Sequence, residues 1–227
     1  MGRIKLKICG LKRANDVQMC INLGIDILGF VTEYPLPVPW NMSSTETLPL
    51  LSMVRAPQRS CIVTGGTPEK VIGLAACLRP SMVQLHYQET LEDTIIIADA
   101  LRELDIDVIK TVPPAIEDRI AQFGTADINV IVKELCNTRI YGLLADSRVP
   151  ANASENGSKL DLGFCSQIIS LSSKPVIIAG GINADNVRDF IAQTDTGFID
   201  IMTGVESSPG EKDSGLLTRL LSSVNNL

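Results

Sequence analysis

Lys7-Ile8-Cys9-Gly10 closes the first apolar run of the chain and predicts where the first strand ends. A thiol and a glycine stand where a strand over Lys5–Ile8 must turn. Three later segments also follow apolar runs, namely Leu143-Leu144-Ala145-Asp146, Ile178-Ala179-Gly180-Gly181-Ile182-Asn183 and Thr203-Gly204-Val205-Glu206-Ser207-Ser208-Pro209-Gly210. One thiol, one carboxylate and two glycine-rich turns just past strand ends predict an active site on one rim of an α/β barrel.

Short runs of Ile, Val and Leu alternate along the chain with longer segments of helical period. The runs are almost continuously apolar, which is typical of parallel strands covered on both faces. The predicted strands are Lys5–Ile8, Ile27–Val31, Ser60–Thr64, Met82–His86, Asp107–Val112, Ile140–Ala145, Val176–Ala179 and Gly197–Met202. The predicted helices lie near Ala14–Leu23, Thr45–Val54, Pro68–Leu78, Leu91–Leu104, Ile116–Phe123, Asp161–Leu171, Asn186–Gln193 and Ser214–Val224, with an added helix near Asn129–Cys136.

Eight strand–helix units with right-handed crossovers form either a closed barrel or an open doubly wound sheet. No GxGxxG follows the first strand, so a Rossmann dinucleotide site is not supported. Eight units in 227 residues favour one (βα)8 TIM barrel, a single domain over residues 1–227. The longest irregular loops, Tyr34–Ser44 and Val149–Lys159, are expected on its C-terminal rim.

Composition limits the classes of protein to which the chain can belong. Hydrophobic residues make up 45% and charged residues 20%, as in a globular protein with a sizeable core. The net charge of -6 argues against nucleic-acid binding, which requires clustered Lys and Arg. No secretory signal and no bilayer-spanning apolar stretch is visible. The six cysteines are scattered without a CxxC pair, so we expect neither a zinc site nor a disulfide framework, and a cytoplasmic location.

The two glycine turns predict a phosphate site. Gly180-Gly181 follows the seventh strand and Thr203-Gly204 follows the eighth, where barrels commonly bind phosphate through backbone N–H groups. Either turn by itself is also explained as a tight connection between strand and helix. Two turns in these positions favour phosphate binding.

Cys9 and Asp146 are the candidate base and acid. A cysteine chosen at random is most often a core thiol, but one at a strand's C-terminal end can accept a proton if a nearby cation or helix N-terminus lowers its pKa. Asp146 either caps a helix or pairs with Arg148, or it faces a partly desolvated pocket and donates a proton.

Two further polar residues fall on predicted strands. Asp200 lies inside the eighth strand, where a charge is costly unless it is paired or faces the site. His86, the only histidine, ends the fourth strand and either lines the site or stabilises the rim. We include both in the predicted substrate site.

The motifs in chain order resemble those of the phosphoribosylanthranilate isomerase family. They are Lys7-Ile8-Cys9-Gly10 with Arg13, Leu28-Gly29-Phe30-Val31, Val83-Gln84-Leu85-His86, Leu143-Leu144-Ala145-Asp146, Ala179-Gly180-Gly181-Ile182-Asn183 with Asn186-Val187, and Gly204-Val205-Glu206-Ser207-Ser208-Pro209-Gly210 with Lys212-Asp213. The resemblance covers nearly the whole chain. It implies a (βα)8 barrel of tryptophan biosynthesis that performs an Amadori rearrangement of N-(5-phosphoribosyl)anthranilate without metal or coenzyme.

By the same resemblance, Cys9 matches the general base and Asp146 the general acid, and Arg13 joins the substrate-binding residues. The implied partner is a small phosphorylated sugar amine, bound by a monomer or a homodimer. Two alternatives stay open. One is a related barrel isomerase acting on another phosphosugar amine, and the other is a barrel that binds a phosphorylated ligand without turning it over.

The loop after the second strand departs from the family pattern. The family usually carries Ser-Pro-Arg there, and its arginine meets the anthranilate carboxylate. This chain reads Val38-Pro39-Trp40-Asn41, with Trp40 in place of the arginine. An indole stacks on aromatic rings but does not pair with a carboxylate. We therefore expect Trp40 either to contact the substrate's aromatic group or to pack the loop onto the barrel. Recognition of the carboxylate then moves to another cation, with Arg13 or Arg148 as candidates, or is lost.

Overall fold

The computed structural model describes residues 3–146 and 162–225 of the chain. Eight parallel strands pair in chain order and close into a barrel, because β1 pairs with both β2 and β8. The strands are β1 Lys5–Ile8, β2 Ile27–Val31, β3 Arg59–Thr64, β4 Met82–Leu85, β5 Asp107–Val112, β6 Gly142–Asp146, β7 Val176–Ala179 and β8 Phe198–Ile201. The predicted (βα)8 barrel is confirmed.

Helices cover the outside of this barrel. They are α1 Ala14–Asn22, α2 Ser44–Leu51, α3 Pro68–Leu78, α4 Leu91–Arg102, α5 Ile116–Phe123, α6 Ile128–Cys136, α7 Leu162–Leu171, α8 Val187–Thr194 and α9 Ser214–Asn225. The additional helix in the fifth crossover is confirmed as α6. Within the described residues, none of these helices has the length and apolar character needed to cross a membrane.

Local sequence signals explain several helix starts. Thr67 caps α3 with its side chain, and Pro68 occupies the first helical position, where a missing N–H costs nothing. Ser43 and Glu46 form a reciprocal capping box, which starts α2 at Ser44, one residue before the predicted start.

Strand alternation divides the apolar residues into two layers. Leu6 and Ile8 of β1 belong to the large cluster between strands and helices. A second cluster fills the barrel interior and consists of Ile27, Cys61, Met82, Ile109, Leu144, Ile177, Ala179 and Phe198. Lys7 and Cys9 alternate with Leu6 and Ile8, so their side chains point inward.

Several predicted bounds were wrong by one or two residues, and two of these errors concern the site. β4 ends at Leu85, so His86 follows the strand rather than ending it. β6 runs from Gly142 to Asp146, so Asp146 is its last residue. The predicted loop Val149–Lys159 lies outside the described residues.

One element after β8 was missed. A 3-10 helix over Thr203–Val205 leads into a small antiparallel hairpin of β9, Glu206–Ser208, and β10, Glu211–Lys212. Gly210 has a φ of 83° between the two strands, a conformation that glycine adopts without steric cost. Because these strands are two or three residues long, no periodic pattern revealed them.

Candidate active site

β1 presents two reactive groups to the barrel interior. Lys7 is fully buried, and Cys9 is only 5% exposed just past the end of the strand. Gly29 on β2 makes room for both, since a Cβ added there would lie 2.9 Å from Sγ of Cys9 and 3.1 Å from Nζ of Lys7. The thiol and the ammonium therefore share the space above one glycine.

Lys7 forms an ion pair with Asp200 across the β1–β8 register. Nζ of Lys7 donates to Oδ2 of Asp200 at 2.8 Å, and both side chains are almost completely buried. Burial by itself lowers the pKa of Lys7. The negative charge of Asp200 is the main influence that opposes burial, and it holds the pKa above its ordinary value. Lys7 is therefore a permanent cation at neutral pH.

The environment of Cys9 acts on its acidity in two directions. Burial is the largest influence and raises the pKa of the Cys9 thiol. The nearby Lys7 ammonium works against that rise, while the Asp200 carboxylate adds to it. The sequence predicted that Cys9 accepts a proton if a cation or a helix N-terminus lies nearby, and Lys7 is such a cation; the role of Cys9 as a base stays a prediction.

Asp146 and His86 face each other on the opposite part of the rim. Asp146 is 3% exposed at the end of β6, and its Oδ2 lies 3.8 Å from Nε2 of His86. Nδ1 of the same ring contacts the Thr111 hydroxyl at 2.9 Å and the Gln84 amide nitrogen at 3.2 Å. These contacts fix the orientation of His86 beside Asp146, and its role in lining the substrate site stays a prediction.

The glycine turns after β7 and β8 lie against each other. Gly180 and Gly181 have φ values of 102° and 66°, which expose backbone groups that a larger residue would turn away. A Cβ added at Gly204 would overlap the carbonyl oxygen of Ile182 in the neighbouring turn. Position 204 therefore requires glycine, because the two turns come into contact there.

Asparagine side chains shape the loop after β7. Oδ1 of Asn183 accepts from the N–H groups of Asp185 and Asn186, and Nδ2 of Asn186 donates to the Gly181 carbonyl. α8 then begins at Val187, one short loop after the double-glycine turn. Such an arrangement suits an anion, because backbone N–H groups and the helix dipole point the same way.

The predicted substrate residue Trp40 is buried in the barrel mouth. It is 5% exposed and forms a cluster with Cys9, Val31 and Val63. Its Nε1–H donates to the Glu206 carboxylate at 3.0 Å, and Glu206 also accepts from Lys212 at 2.6 Å. Trp40 therefore packs its loop onto the barrel while lying beside the thiol, and contact with a substrate stays a prediction.

Arg13, the second predicted substrate residue of this region, is already engaged with two carboxylates. Its guanidinium forms a two-pronged pair with Asp16, both contacts being 3.0 Å, and reaches Oε1 of Glu211 at 3.0 Å. These contacts fasten the β9–β10 hairpin to α1. The side chain is still 45% exposed, and its role in binding a substrate stays a prediction. The alternative cation Arg148 lies outside the described residues.

The loop between β2 and α2 is held across the mouth by residues that sequence reasoning missed. The side chain of Asn41 accepts from the Tyr34 amide and donates to the Tyr34 carbonyl. The Tyr34 hydroxyl donates to the His86 carbonyl at 2.6 Å, which connects the loop to the end of β4. Nothing in the sequence links Tyr34 to His86, so only the fold reveals this contact.

Lys7 was also missed, although a signal for it was present. A lysine inside a buried strand is as costly as an aspartate there, and the same reasoning had selected Asp200. Glu206 and Lys212 had been noted as part of a motif without a role. Among residues 3–146 and 162–225, no group of three or more His, Cys, Asp or Glu side chains is arranged to hold a metal ion.

Taken together, the barrel, the acid and base candidates on its rim and the paired glycine turns define a class: (βα)8-barrel enzymes that act on a small phosphorylated molecule. Within that class, a family model for N-(5'-phosphoribosyl)anthranilate isomerase matches residues 6–223. The chain belongs to the N-(5'-phosphoribosyl)anthranilate isomerase family.

Individual relatives are similar over nearly their full length. The N-(5'-phosphoribosyl)anthranilate isomerase of Xanthomonas euvesicatoria pv. vesicatoria is 27% identical over 228 residues, covering 98% of this chain and 93% of the relative. The isomerase of Methanosarcina acetivorans is 26% identical, again over 98% and 93%.

Solved structures agree on the fold. The phosphoribosyl anthranilate isomerase of Thermotoga maritima superposes with a TM-score of 0.79 at 24% identity, over 99% of this chain and all of that one. A phosphoribosyl anthranilate isomerase in complex with reduced 1-(o-carboxyphenylamino)-1-deoxyribulose 5-phosphate gives a TM-score of 0.75 at 23% identity, with the same coverage.

Proposed function

We propose that this chain catalyses the Amadori rearrangement of N-(5'-phosphoribosyl)anthranilate to 1-(2-carboxyphenylamino)-1-deoxyribulose 5-phosphate. Its family membership supports the reaction and the substrate. The observation that carries the proposal is the pairing of a buried thiol after β1 with a buried carboxylate at the end of β6, beside the glycine turns of β7 and β8. This is the set of groups that an aldose–ketose isomerisation of a phosphorylated sugar amine requires.

Asp146 acts as the acid in the first step. It gives a proton to the furanose ring oxygen, the C1–O bond breaks, and the nitrogen lone pair forms the C1=N bond of a protonated Schiff base. His86 is fixed beside this carboxyl group by Thr111 and Gln84. It therefore orients the acid and lines the space that the ring oxygen occupies.

Cys9 acts as the base in the second step. The thiolate takes the proton from C2 of the sugar, the C–H electrons become the C1=C2 bond, and the C1=N pair returns to nitrogen. A thiolate and an iminium are thereby converted to a thiol and a neutral enolamine, so charge balances. Tautomerisation of the enolamine, with a proton added at C1, gives the ketone.

The remaining predicted residues bind the substrate. Gly180, Gly181, Thr203 and Gly204 hold the phosphate, which supplies binding energy remote from the reacting carbons. Asp200 contributes as well, since its Oδ1 is buried and has no hydrogen-bond partner in the described structure. A substrate hydroxyl or amine would satisfy that oxygen, whose isolation is otherwise costly.

A direct test is the conversion of N-(5'-phosphoribosyl)anthranilate by purified protein, followed by NMR. The expected result is formation of the aminoketose, together with growth of a tryptophan auxotroph that lacks this isomerase when it expresses the chain. Failure of both would reject the activity.

The buried position of Trp40 favours a second candidate substrate, namely a phosphosugar amine whose aromatic group carries no carboxylate. The indole is buried and its N–H is already donated to Glu206, so this loop position offers no cation. Turnover of a carboxylate-free analogue at least as fast as of the anthranilate compound would support this alternative.

The same proposal leads to expectations about cofactors, cellular location and oligomeric state. The rearrangement needs no metal or coenzyme, since an acid and a base suffice. We infer a cytoplasmic location, as for a biosynthetic enzyme of this family, and a monomer or homodimer. Size-exclusion chromatography with light scattering distinguishes the two assemblies.

A further inference from the structure

Among the residues that the structure describes, two lysines of the barrel are completely buried, and only one of them has a clear structural reason. Lys110 on β5 pairs with Glu89 at 3.1 Å and with the Gln122 side chain at 2.9 Å. It thereby holds the loop after β4. Lys7 pairs with Asp200 in the interior, where replacing both charges with neutral groups of similar volume is commonly neutral or stabilising. The fold alone does not explain a cation at position 7.

We propose that Lys7 is a positioning residue for the reaction, stabilising the thiolate form of Cys9 that removes the C2 proton. The proposal rests on the function proposed above for its catalytic meaning. The interaction itself, a thiolate stabilised by a buried ammonium, can be tested without measuring turnover.

Gly29 of β2 leaves the space in which the Lys7 ammonium and the Cys9 thiol lie next to each other. A Cβ at Gly29 would lie 2.9 Å from the sulfur and 3.1 Å from the ammonium nitrogen. Contacts under 3.0 Å to a real Cβ essentially do not occur, so a larger residue would push the sulfur away from the lysine. Gly29 therefore allows the two groups to approach each other.

Asp200 gives Lys7 its fixed charge and direction. An ammonium has three donors, and one of them is used by Oδ2 of Asp200 at 2.8 Å. The same ammonium lies beside the sulfur of Cys9, since both groups would contact a Cβ placed at Gly29. Because the carboxylate holds Lys7 protonated, the cation persists when the thiol takes up the substrate proton, and Lys7 itself transfers no proton.

Other ionisable groups also act on Cys9. Lys212 on β10 favours the thiolate, whereas Asp200 on β8 disfavours it. Of the two cations, Lys7 has the larger influence on the pKa of Cys9. Removing Lys7 should therefore raise the pKa of Cys9 further.

The test is the pH dependence of Cys9 alkylation by iodoacetamide, read for the Cys9 peptide by mass spectrometry. In Lys7→Met the alkylation rate at neutral pH should fall about tenfold or more. The reason is that losing a neighbouring positive charge raises the pKa of a thiol by about one unit or more. The acid limb of the kcat/KM profile should move to higher pH, since the thiolate is the active form. An alkylation profile identical to that of the unchanged protein would overturn the proposal.

Two further variants keep the test decisive. Lys7→Met leaves Asp200 buried and unpaired, so the double variant Lys7→Met/Asp200→Asn removes that charge and should fold while still showing slow alkylation. Lys110→Met/Glu89→Gln neutralises the other buried pair and should leave the Cys9 profile unchanged. Cys20, which is fully buried, reports any loosening of the fold in the same digest. A fast Cys9 in the folded double variant would also contradict the proposal.

The two proposals fail in distinguishable ways. A shifted alkylation profile without any turnover of N-(5'-phosphoribosyl)anthranilate would retain the role of Lys7 and reject the activity. Normal turnover in Lys7→Met with an unshifted profile would retain the activity and reject the role of Lys7.

Discussion

The two sides of the barrel mouth differ in chemistry. On the side formed by β1, β6, β7 and β8, charged side chains and glycine turns line the rim. On the side formed by β2, β3 and β4, a loop containing Tyr34 and Trp40 packs apolar groups against the rim. The sequence keeps the family motifs around Cys9, Asp146 and the glycine turns on the first side, and it has Trp40 in place of the family arginine on the second. We therefore expect the reacting sugar and its phosphate to be bound independently of the aromatic group.

Asp146→Asn should have the largest effect, because the amide keeps the shape of the acid but has no acidic proton to give. Turnover should fall by about 10²- to 10⁴-fold with an unchanged circular dichroism spectrum. A substrate that is already opened to the Schiff base bypasses this step, so Asp146→Asn should lose less turnover with it than with the ring-closed substrate. Equal losses on both substrates would count against Asp146 as the acid.

Gly181→Val should act on binding rather than on chemistry. A β-branched residue is strained at a φ of 66° and turns the backbone N–H groups away from the phosphate. KM should rise by about tenfold or more, the scale of losing one or two charge-assisted hydrogen bonds, with kcat less affected. Gly24→Val is the matched control, since Gly24 has a φ of 71° with open space around it. A similar rise in KM in both variants would point to general strain instead of lost phosphate contacts.

Trp40→Arg should have the smallest effect and addresses the other side of the mouth. The arginine offers a cation where the indole now lies, although Glu206 competes for it. The ratio of kcat/KM for N-(5'-phosphoribosyl)anthranilate to that for an analogue without the carboxylate should rise several-fold, the scale of a partly exposed ion pair. The ratio cancels any loss of stability. If it stays the same, the loop does not read the aromatic group.

The fold was readable from the sequence because its pattern is periodic. Eight near-continuous apolar runs separated by helical segments define the barrel, and Thr67-Pro68 marks a helix start from local chemistry alone. Bounds shifted where tertiary contacts decide the last residue, as at His86 and Asp146. The β9–β10 hairpin was missed because its strands are too short to show alternation.

The candidate site was predicted in part, and its contacts show why the rest was missed. Cys9 and Asp146 were found because each follows a strand, which is a local property. The partners Glu206 and Tyr34 were not, because they are distant in sequence from Trp40 and His86 and meet them only in the fold. Lys7 could have been predicted from the sequence, since a charged side chain inside a buried strand needs a partner of opposite charge. Asp200 on the neighbouring strand is that partner.

Loss of the hydrogen at C2 of the sugar is the measurement that tests the account most directly. In N-(5'-phosphoribosyl)anthranilate labelled at C2 with deuterium, the unchanged protein should release the label as the aminoketose forms. Cys9→Ser should release it about 10²-fold or more slowly, because a hydroxyl is a far weaker base than a thiolate, while phosphate binding stays intact. Release of the label by Cys9→Ser at the rate of the unchanged protein would contradict the account.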